Sequence, residues 1–133
     1  MYLIDTNIFL EFLLAQERTN ETIRLFQKII SGDLETSVSR FSLYSIEVIL
    51  SKNKKAEALG KFLDIIKYSR GIKIISTDVG DDRKIIELMK IFNLDFDDAL
   101  HYYICKNMNL KIISFDKHFD KTDVKRLEPK EIL

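Results

Sequence analysis

The sequence predicts an α/β protein, a three-layer α/β/α sandwich in which helices cover both faces of a central parallel sheet. Short apolar runs rich in β-branched residues alternate with longer segments whose apolar residues recur every three or four positions. This alternation favours a parallel sheet with right-handed crossovers. A length of 133 residues, without a Pro/Gly/Ser-rich linker or a repeat, indicates one domain over residues 1–133.

Turn residues and side-chain periodicity define the elements of the first half. The apolar run before Asp5 predicts the first strand, and apolar residues at helical spacing predict helices over 8–13 and 23–30. The second of these helices ends at Ser31-Gly32-Asp33. The following predicted elements are a strand over 34–39, a helix over 41–50, a basic turn over 51–55 and a helix over 56–68.

The second half repeats the alternation. Gly71 ends the preceding helix, and β-branched residues dominate a third strand over 72–76. Helical spacing then predicts two helices, over 81–92 and 96–107. A fourth strand, an edge strand over 124–127 and a tail that begins at Pro129 follow.

Composition favours a compact protein without membrane spans. The 21 basic and 21 acidic residues give a formal net charge of zero, so a nucleic acid would have to be bound by a local patch or through cations. No secretory signal and no continuous apolar run of roughly 18 residues is recognised, so we expect no membrane partner. The single cysteine, Cys105, fits a reducing compartment, and a cytoplasmic location is expected.

Four carboxylates lie at positions that are typical of catalytic or metal-binding residues. Asp5 and Asp116 each end an apolar run of strand type, and ligands of open α/β sheets collect beyond the carboxyl ends of strands. Glu47 lies among the apolar positions of its helix, and Asp98 begins a helix directly after Asp97. Glutamates near a buried face are unusual unless they are paired or bound to a cation.

Convergence of Asp5, Glu47, Asp98 and Asp116 would create a metal site. Their mutual repulsion would raise some of their pKa values unless cations fill the site. Mg²⁺ or Mn²⁺ would suit these oxygen ligands. Such a site can activate water and stabilise charge on a phosphate, so the pattern indicates metal-assisted hydrolysis of a phosphodiester.

Each carboxylate also has a local explanation. Asp5 can cap the next helix, and Asp97 with Asp98 can be first-turn acids favoured by the helix dipole. Asp116 can begin a turn, and Glu47 can pair with a neighbour one helical turn away. The four together are less easily explained by local capping.

The order of these segments matches a known family. The matching segments are Leu3-Ile4-Asp5-Thr6-Asn7, then Ser39 and Ser42 leading to Glu47, then Asp98-Ala99-Leu100-His101, and finally Ile112-Ile113-Ser114-Phe115-Asp116-Lys117-His118-Phe119. From Tyr2 to about Pro129 the chain resembles a PIN domain, the metal-dependent nuclease fold of VapC-like toxins.

The resemblance implies roles for individual residues. Asp5, Glu47, Asp98 and Asp116 correspond to the acidic quartet that holds Mg²⁺ or Mn²⁺, with Asp97 as the fallback for Asp98. Asn7, Ser114 and Thr6 correspond to supporting positions. Many relatives carry a further acidic residue where this chain has His118, so the resemblance leaves one or two metal ions open.

Other polar residues are interpreted as neighbours of the site. Arg40, Lys117 and Lys121 are candidates for phosphate contacts. His101 is interpreted as a helix-face residue rather than a ligand.

The resemblance implies a Mg²⁺- or Mn²⁺-dependent endoribonuclease, the toxin of a type II toxin-antitoxin pair. Its implied partners are an RNA substrate, a second copy in a homodimer and a cognate antitoxin. The alternative is a non-catalytic PIN-like module that binds or helps to process RNA. A haloacid-dehalogenase-like phosphatase also begins with an aspartate after its first strand, but it needs a second aspartate where this chain has Asn7.

Overall fold

The computed structural model describes residues 1–132 and contains a five-stranded sheet. The only residue outside this range, Leu133, belongs to the predicted single domain. The strands are β1 (Tyr2–Ile4), β2 (Thr36–Ser39), β3 (Ile72–Ile75), β4 (Lys111–Ile113) and β5 (Arg126–Leu127). Their spatial order is β3-β2-β1-β4-β5, and every neighbouring pair is parallel, which confirms the predicted sheet.

Six helices cover the sheet in two layers, which confirms the predicted sandwich. They are α1 (Thr6–Leu13), α2 (Thr19–Ile30), α3 (Arg40–Lys52), α4 (Ala56–Tyr68), α5 (Val79–Phe92) and α6 (Phe96–Met108). Ile4 of β1 packs with the buried residues of α1 to α4, whereas its neighbour Leu3 packs with those of α5 and α6. Successive strand residues point to opposite faces, so β1 contributes to both cores.

Helix caps fix where the helices begin and end. At the carboxyl edge of the sheet, the Asp5 side chain accepts a hydrogen bond from the Thr6 amide at the start of α1, and Ser39 accepts one from the Ser42 amide at the start of α3. Asn93 and Asn109 end α5 and α6 in the left-handed conformation, with φ of 52° and 54°. Local side-chain chemistry therefore sets the direction in which the chain leaves each strand and each helix.

The predicted strands over 34–39 and 124–127 are shorter in the structure. The amide of Leu34 donates to the Lys28 carbonyl at the end of α2, so pairing in β2 begins only at Thr36. The amide of Val124 donates to the Thr122 hydroxyl, and β5 is reduced to Arg126–Leu127. In both places the backbone amide makes a local hydrogen bond instead of one to the neighbouring strand.

Membrane-spanning geometry is absent from the helices of residues 1–132. None of them combines the length with the apolar composition that crossing a bilayer requires.

Gly71 is expected to be essential for the close packing of the chain against the turn between α2 and β2. A Cβ atom at this position would lie 2.2 Å from the Ile29 carbonyl oxygen and 2.8 Å from that of Leu34. Gly71→Ala should lower the free energy of unfolding by about 1 to 3 kcal/mol, the cost of overpacking. Urea denaturation at constant m-value measures this change.

Gly60→Ala is the matched control. Gly60 lies in α4, and a Cβ atom added there would have nothing within 4 Å, so alanine should stabilise the helix by up to about 1 kcal/mol. Equal stability of the Gly71→Ala variant and the unsubstituted protein would contradict the close approach.

Candidate metal centre

Polar side chains line one edge of the sheet, at the carboxyl ends of its central strands. Asp5 follows β1, Ser39 ends β2 and Ser114 follows β4. The Asp5 amide donates to the Ile113 carbonyl at 3.0 Å, which extends the pairing of β1 with β4 by one residue. Parallel pairing therefore places Asp5 beside Ser114 although they are distant in sequence.

Asp5 is held rigidly by hydrogen bonds to both of its carboxylate oxygens. Oδ1 accepts from the Thr6 amide at 2.8 Å, which is the capping role considered from the sequence. Oδ2 accepts from the Ser114 hydroxyl at 2.6 Å and from the Asn7 side-chain amide at 3.2 Å. Because Asp5 is only 6% exposed, these donors replace the water that an ionised carboxylate would otherwise require.

Ser114 and Asn7 connect Asp5 to Asp116. The Ser114 hydroxyl oxygen accepts from the Asp116 amide at 2.9 Å, while its proton is donated to Asp5. The Asn7 side-chain oxygen accepts from the Phe115 amide at 3.2 Å. The two strand-end aspartates therefore belong to one hydrogen-bonded unit.

Asp98 and Asp116 meet at His118. The His118 Nδ1 atom lies 3.3 Å from Asp98 Oδ2 and 3.1 Å from Asp116 Oδ1. One ligand atom from each of these three side chains lies within 4.8 Å of the other two. Asp98 is buried on α6, whereas the His118 side chain is 63% exposed. The cluster is therefore buried at Asp98 and open to solvent at His118.

The electrostatics of the cluster raise the pKa of Asp98 to about 6. Burial is the largest cause, and the negative charges of Asp97, Asp116 and Asp5 act in the same direction. The hydrogen bond with His118 opposes the shift. Crowded carboxylates that resist ionisation are the donor set that a divalent cation stabilises, so the residues present fit a metal ion.

His101 forms a second layer behind Asp5. Its Nε2 atom lies 2.9 Å from the Ser39 hydroxyl and 3.0 Å from the Ser42 hydroxyl. Its Nδ1 atom has no hydrogen-bond partner among the described residues and lies 3.5 Å from Asp5 Oδ1. Burial lowers the pKa of His101 although Asp5 and Asp97 act to raise it, so the ring is neutral at pH 7.

The prediction that His101 is a helix-face residue rather than a ligand did not include its contacts with the Ser39 and Ser42 hydroxyls. The available signal was its position three residues after Asp98, which puts both on one face of α6. A second signal was the pair of hydroxyls, Ser39 and Ser42, at the start of α3. Thr6 joins this layer, with its hydroxyl 2.7 Å from that of Ser42.

Hydrogen bonds and the ligand cluster connect Asp5, Asp98 and Asp116, while the part of Glu47 in the site stays a prediction. Ser42 is the α3 residue that contacts the site, and Glu47 follows it by five positions, about 140° around the helix axis. One carboxylate oxygen of Glu47, Oε2, is buried without a hydrogen-bond partner within residues 1–132.

Three further predicted residues are Asp97, Lys117 and Arg40. Asp97 is exposed beside Asp98, and one atom of each also lies within 4.8 Å of an atom of Asp95. Lys117 is exposed directly after Asp116. The guanidinium of Arg40 lies 4.2 Å from the ring centroid of Tyr44.

Comparisons with known proteins agree with this fold. A sequence model of the PIN domain matches residues 2–125. VapC20 of Mycobacterium tuberculosis, described as a sarcin-ricin loop cleaving toxin, superposes with a TM-score of 0.80 at 14% identity, over 97% of this chain and 100% of that one. FitAcB of Neisseria gonorrhoeae gives 0.74 at 20% identity, over 98% and 99%. A toxin-antitoxin complex from Klebsiella pneumoniae gives 0.72 at 17% identity, over 97% and 98%. No curated protein sequence matches the chain significantly.

Asp98 is expected to make the metal-free protein less stable as the pH rises. Its pKa of about 6 in the folded state exceeds the ordinary 3.8, so folding favours the protonated form. The resulting stabilisation is complete below about pH 4 and is lost as the pH rises through 6, a change of about 2 to 3 kcal/mol. Asp98→Asn removes the ionisable carboxyl group and with it this dependence of stability on pH.

The measurement is urea unfolding in EDTA between pH 4 and pH 7.5. The stability of the Asp98→Asn variant relative to the unsubstituted protein should increase across this range. Asp64→Asn, in α4 and away from the cluster, is the control and should show a constant difference. A constant difference for Asp98→Asn as well would contradict the electrostatic account of the cluster.

Proposed function

Because the chain belongs to the PIN domain family, we propose that it is a metal-dependent endoribonuclease that hydrolyses phosphodiester bonds of RNA. The observation that carries this proposal is the meeting of Asp98, Asp116 and His118 beside the buried Asp5 at the carboxyl edge of the sheet. A divalent cation stabilises such adjacent carboxylates at neutral pH, and a cation site open on one side is suited to a phosphate.

Asp98, Asp116 and His118 are the residues that would hold Mg²⁺ or Mn²⁺, with Asp5 next to them. When bound, such an ion lowers the pKa of a water and offsets the negative charge that develops on the phosphate. Glu47 stays the predicted fourth carboxylate of this set.

The chain's own residues orient the carboxylates in advance. Ser114 and Asn7 hold Asp5 by hydrogen bonds, and Ser114 also fixes the backbone of Asp116. The neutral His101 adds no charge that would compete for Asp5. A site whose donors are already fixed needs little reorganisation during the reaction.

Cations at the rim are proposed to contact the RNA backbone. Lys117 directly follows Asp116, and Arg40 lines a cavity together with Ser39 at the end of β2. Neither side chain forms an ion pair within residues 1–132. The Lys121 ammonium group donates to the Asn93 carbonyl at 2.8 Å, so its contact with phosphate would require that bond to break. Arg40 and Lys117 are therefore the preferred candidates.

We infer that the physiological setting is a type II toxin-antitoxin pair. The support comes from structural neighbours described as a sarcin-ricin loop cleaving toxin and as a toxin-antitoxin complex. A cognate antitoxin, a homodimeric toxin and a cytoplasmic location belong to this proposal.

A non-catalytic RNA-binding module is the second candidate. It is favoured by one departure from the expected acidic set, the imidazole at position 118. The two functions are distinguished by whether the purified protein cleaves RNA or only binds it.

Metal-dependent cleavage is the direct test. Purified protein should cut an end-labelled, mixed-sequence RNA with Mg²⁺ or Mn²⁺ and not with EDTA. Asp5→Asn and Asp116→Asn should each reduce cleavage by about 100-fold or more, because each removes a negative charge from the carboxylates proposed to hold the cation. Ser114→Ala should reduce it by roughly 10- to 100-fold through loss of support for Asp5.

One matched variant controls this experiment. Asp64→Asn removes a carboxylate of α4 that lies away from the cluster and should leave cleavage unchanged. Glu47→Gln tests the predicted fourth carboxylate and should reduce cleavage as the aspartate variants do. RNA binding by a folded protein that never cleaves would favour the non-catalytic module.

His118 is expected to bias the site towards Mn²⁺. Imidazole nitrogen suits Mn²⁺ better than Mg²⁺, which prefers an all-oxygen shell. His118→Ala should therefore weaken Mn²⁺ binding by roughly tenfold or more and Mg²⁺ binding by less. Electron paramagnetic resonance of free Mn²⁺ during titration gives the first affinity, and competition by Mg²⁺ gives the second. Unchanged Mn²⁺ affinity would exclude His118 as a ligand.

A further inference from the structure

A cavity of about 280 Å³ lies beside the acidic cluster, at the carboxyl ends of β2 and β3. Its lining includes Ser39 at the end of β2 and residues 75–77 at the end of β3. Leu100, which lies between Asp98 and His101 on α6, also lines it. The cavity therefore opens at the same edge of the sheet as the carboxylates, where ligands of such folds collect.

Aromatic rings form the walls of this cavity. The rings of Phe41 and Phe96 pack edge to face with centroids 6.1 Å apart. Tyr44 also lines the cavity, with the Arg40 guanidinium stacked over its ring. Phe41 and Tyr44 are 36% and 56% exposed, so aromatic faces are available at the opening.

Polar groups of α5 and the preceding loop stand at the cavity's other side. The Thr77 hydroxyl donates to Asp82 Oδ1 at 2.8 Å, which fixes the carboxylate and leaves Oδ2 as an acceptor. Both side chains line the cavity. An aromatic slot with one fixed acceptor can stack a flat ring and hydrogen-bond its N–H groups.

Two contacts connect the cavity to the acidic cluster. Phe41 packs edge to face against His101 with centroids 6.4 Å apart, and Ser39 contacts His101 Nε2 at 2.9 Å. His101 in turn lies 3.5 Å from Asp5 Oδ1. A ligand seated in the cavity is therefore one buried side chain away from the carboxylate edge.

We propose that this cavity binds one unpaired nucleobase of the RNA whose backbone lies at the acidic cluster. The proposal rests on the ribonuclease function proposed above for the identity of the ligand. Proteins that recognise single-stranded RNA stack splayed bases on aromatic rings and on arginine planes, and hydrogen-bond their edges. Phe41, Phe96 and Tyr44 supply the stacking surfaces, Asp82 accepts from the base edge, and Arg40 stands at the opening where the negatively charged backbone passes.

The test measures binding of the base alone, without metal or cleavage. The full chain in EDTA is titrated with each of the four ribonucleosides, and with ribose as the control ligand, while ¹H–¹⁵N NMR spectra are recorded. Nucleosides should shift the amide signals of Phe41, Thr77 and Asp82, and ribose should not. Phe96→Leu keeps the apolar bulk but removes the ring face, and should weaken nucleoside binding by roughly tenfold.

Matched variants make the result decisive. Tyr68→Leu removes an aromatic side chain that is 74% exposed and does not line the cavity, and should leave binding unchanged. Phe41→Leu replaces Phe96→Leu if the spectrum of the latter shows misfolding. Equal shifts with ribose, or nucleoside binding that is insensitive to both phenylalanine variants, would overturn the proposal.

The outcome is independent of catalysis. Nucleoside binding in the cavity without any RNA cleavage would support the base site while contradicting the nuclease. RNA cleavage without nucleoside binding in the cavity would support the nuclease and overturn the base site.

Discussion

Repulsion among Asp5, Asp98 and Asp116 is the interaction on which the arrangement of this edge of the molecule depends. Parallel strands bring Asp5 and Asp116 together at their carboxyl ends, and α6 places Asp98 beside Asp116. Burial raises the pKa of Asp98 most, and the charges of Asp97, Asp116 and Asp5 raise it further. Donors from Thr6, Ser114 and Asn7 stabilise the carboxylate of Asp5. These hydrogen bonds keep negatively charged side chains close together, and such a cluster attracts a cation.

The neutral state of His101 is as important as the negative charges. A protonated imidazole beside Asp5 would neutralise part of the cluster from within and reduce its attraction for an external cation. Burial keeps the ring uncharged, and two serine hydroxyls satisfy Nε2. Thr6, Ser39 and Ser42 therefore connect α1, β2 and α3 to α6 without adding charge.

Much of the fold and part of the site could be predicted from the sequence. Asp5 and Asp116 were recognisable because each stops an apolar strand, a signal that survives without knowledge of packing. The face of α3 that meets the site was harder to predict, because a shift of two positions turns a helical side chain by about 200°. The contact of Ser42 with Thr6 shows one residue on that face. The serine partners of His101 lie far away in the chain, so no local pattern revealed them.

Zero net charge places a particular demand on a protein that is proposed to bind RNA. Long-range attraction cannot supply the affinity, because the basic and acidic residues are equal in number. Stacking of a base does not depend on net charge, and the aromatic cavity beside His101 offers that contribution next to the carboxylates. In the proposed function, an acidic cluster that needs a cation to accept phosphate and an aromatic cavity that accepts a base are complementary: the first would select the reacting bond, and the second would hold the strand against the repulsion of the first.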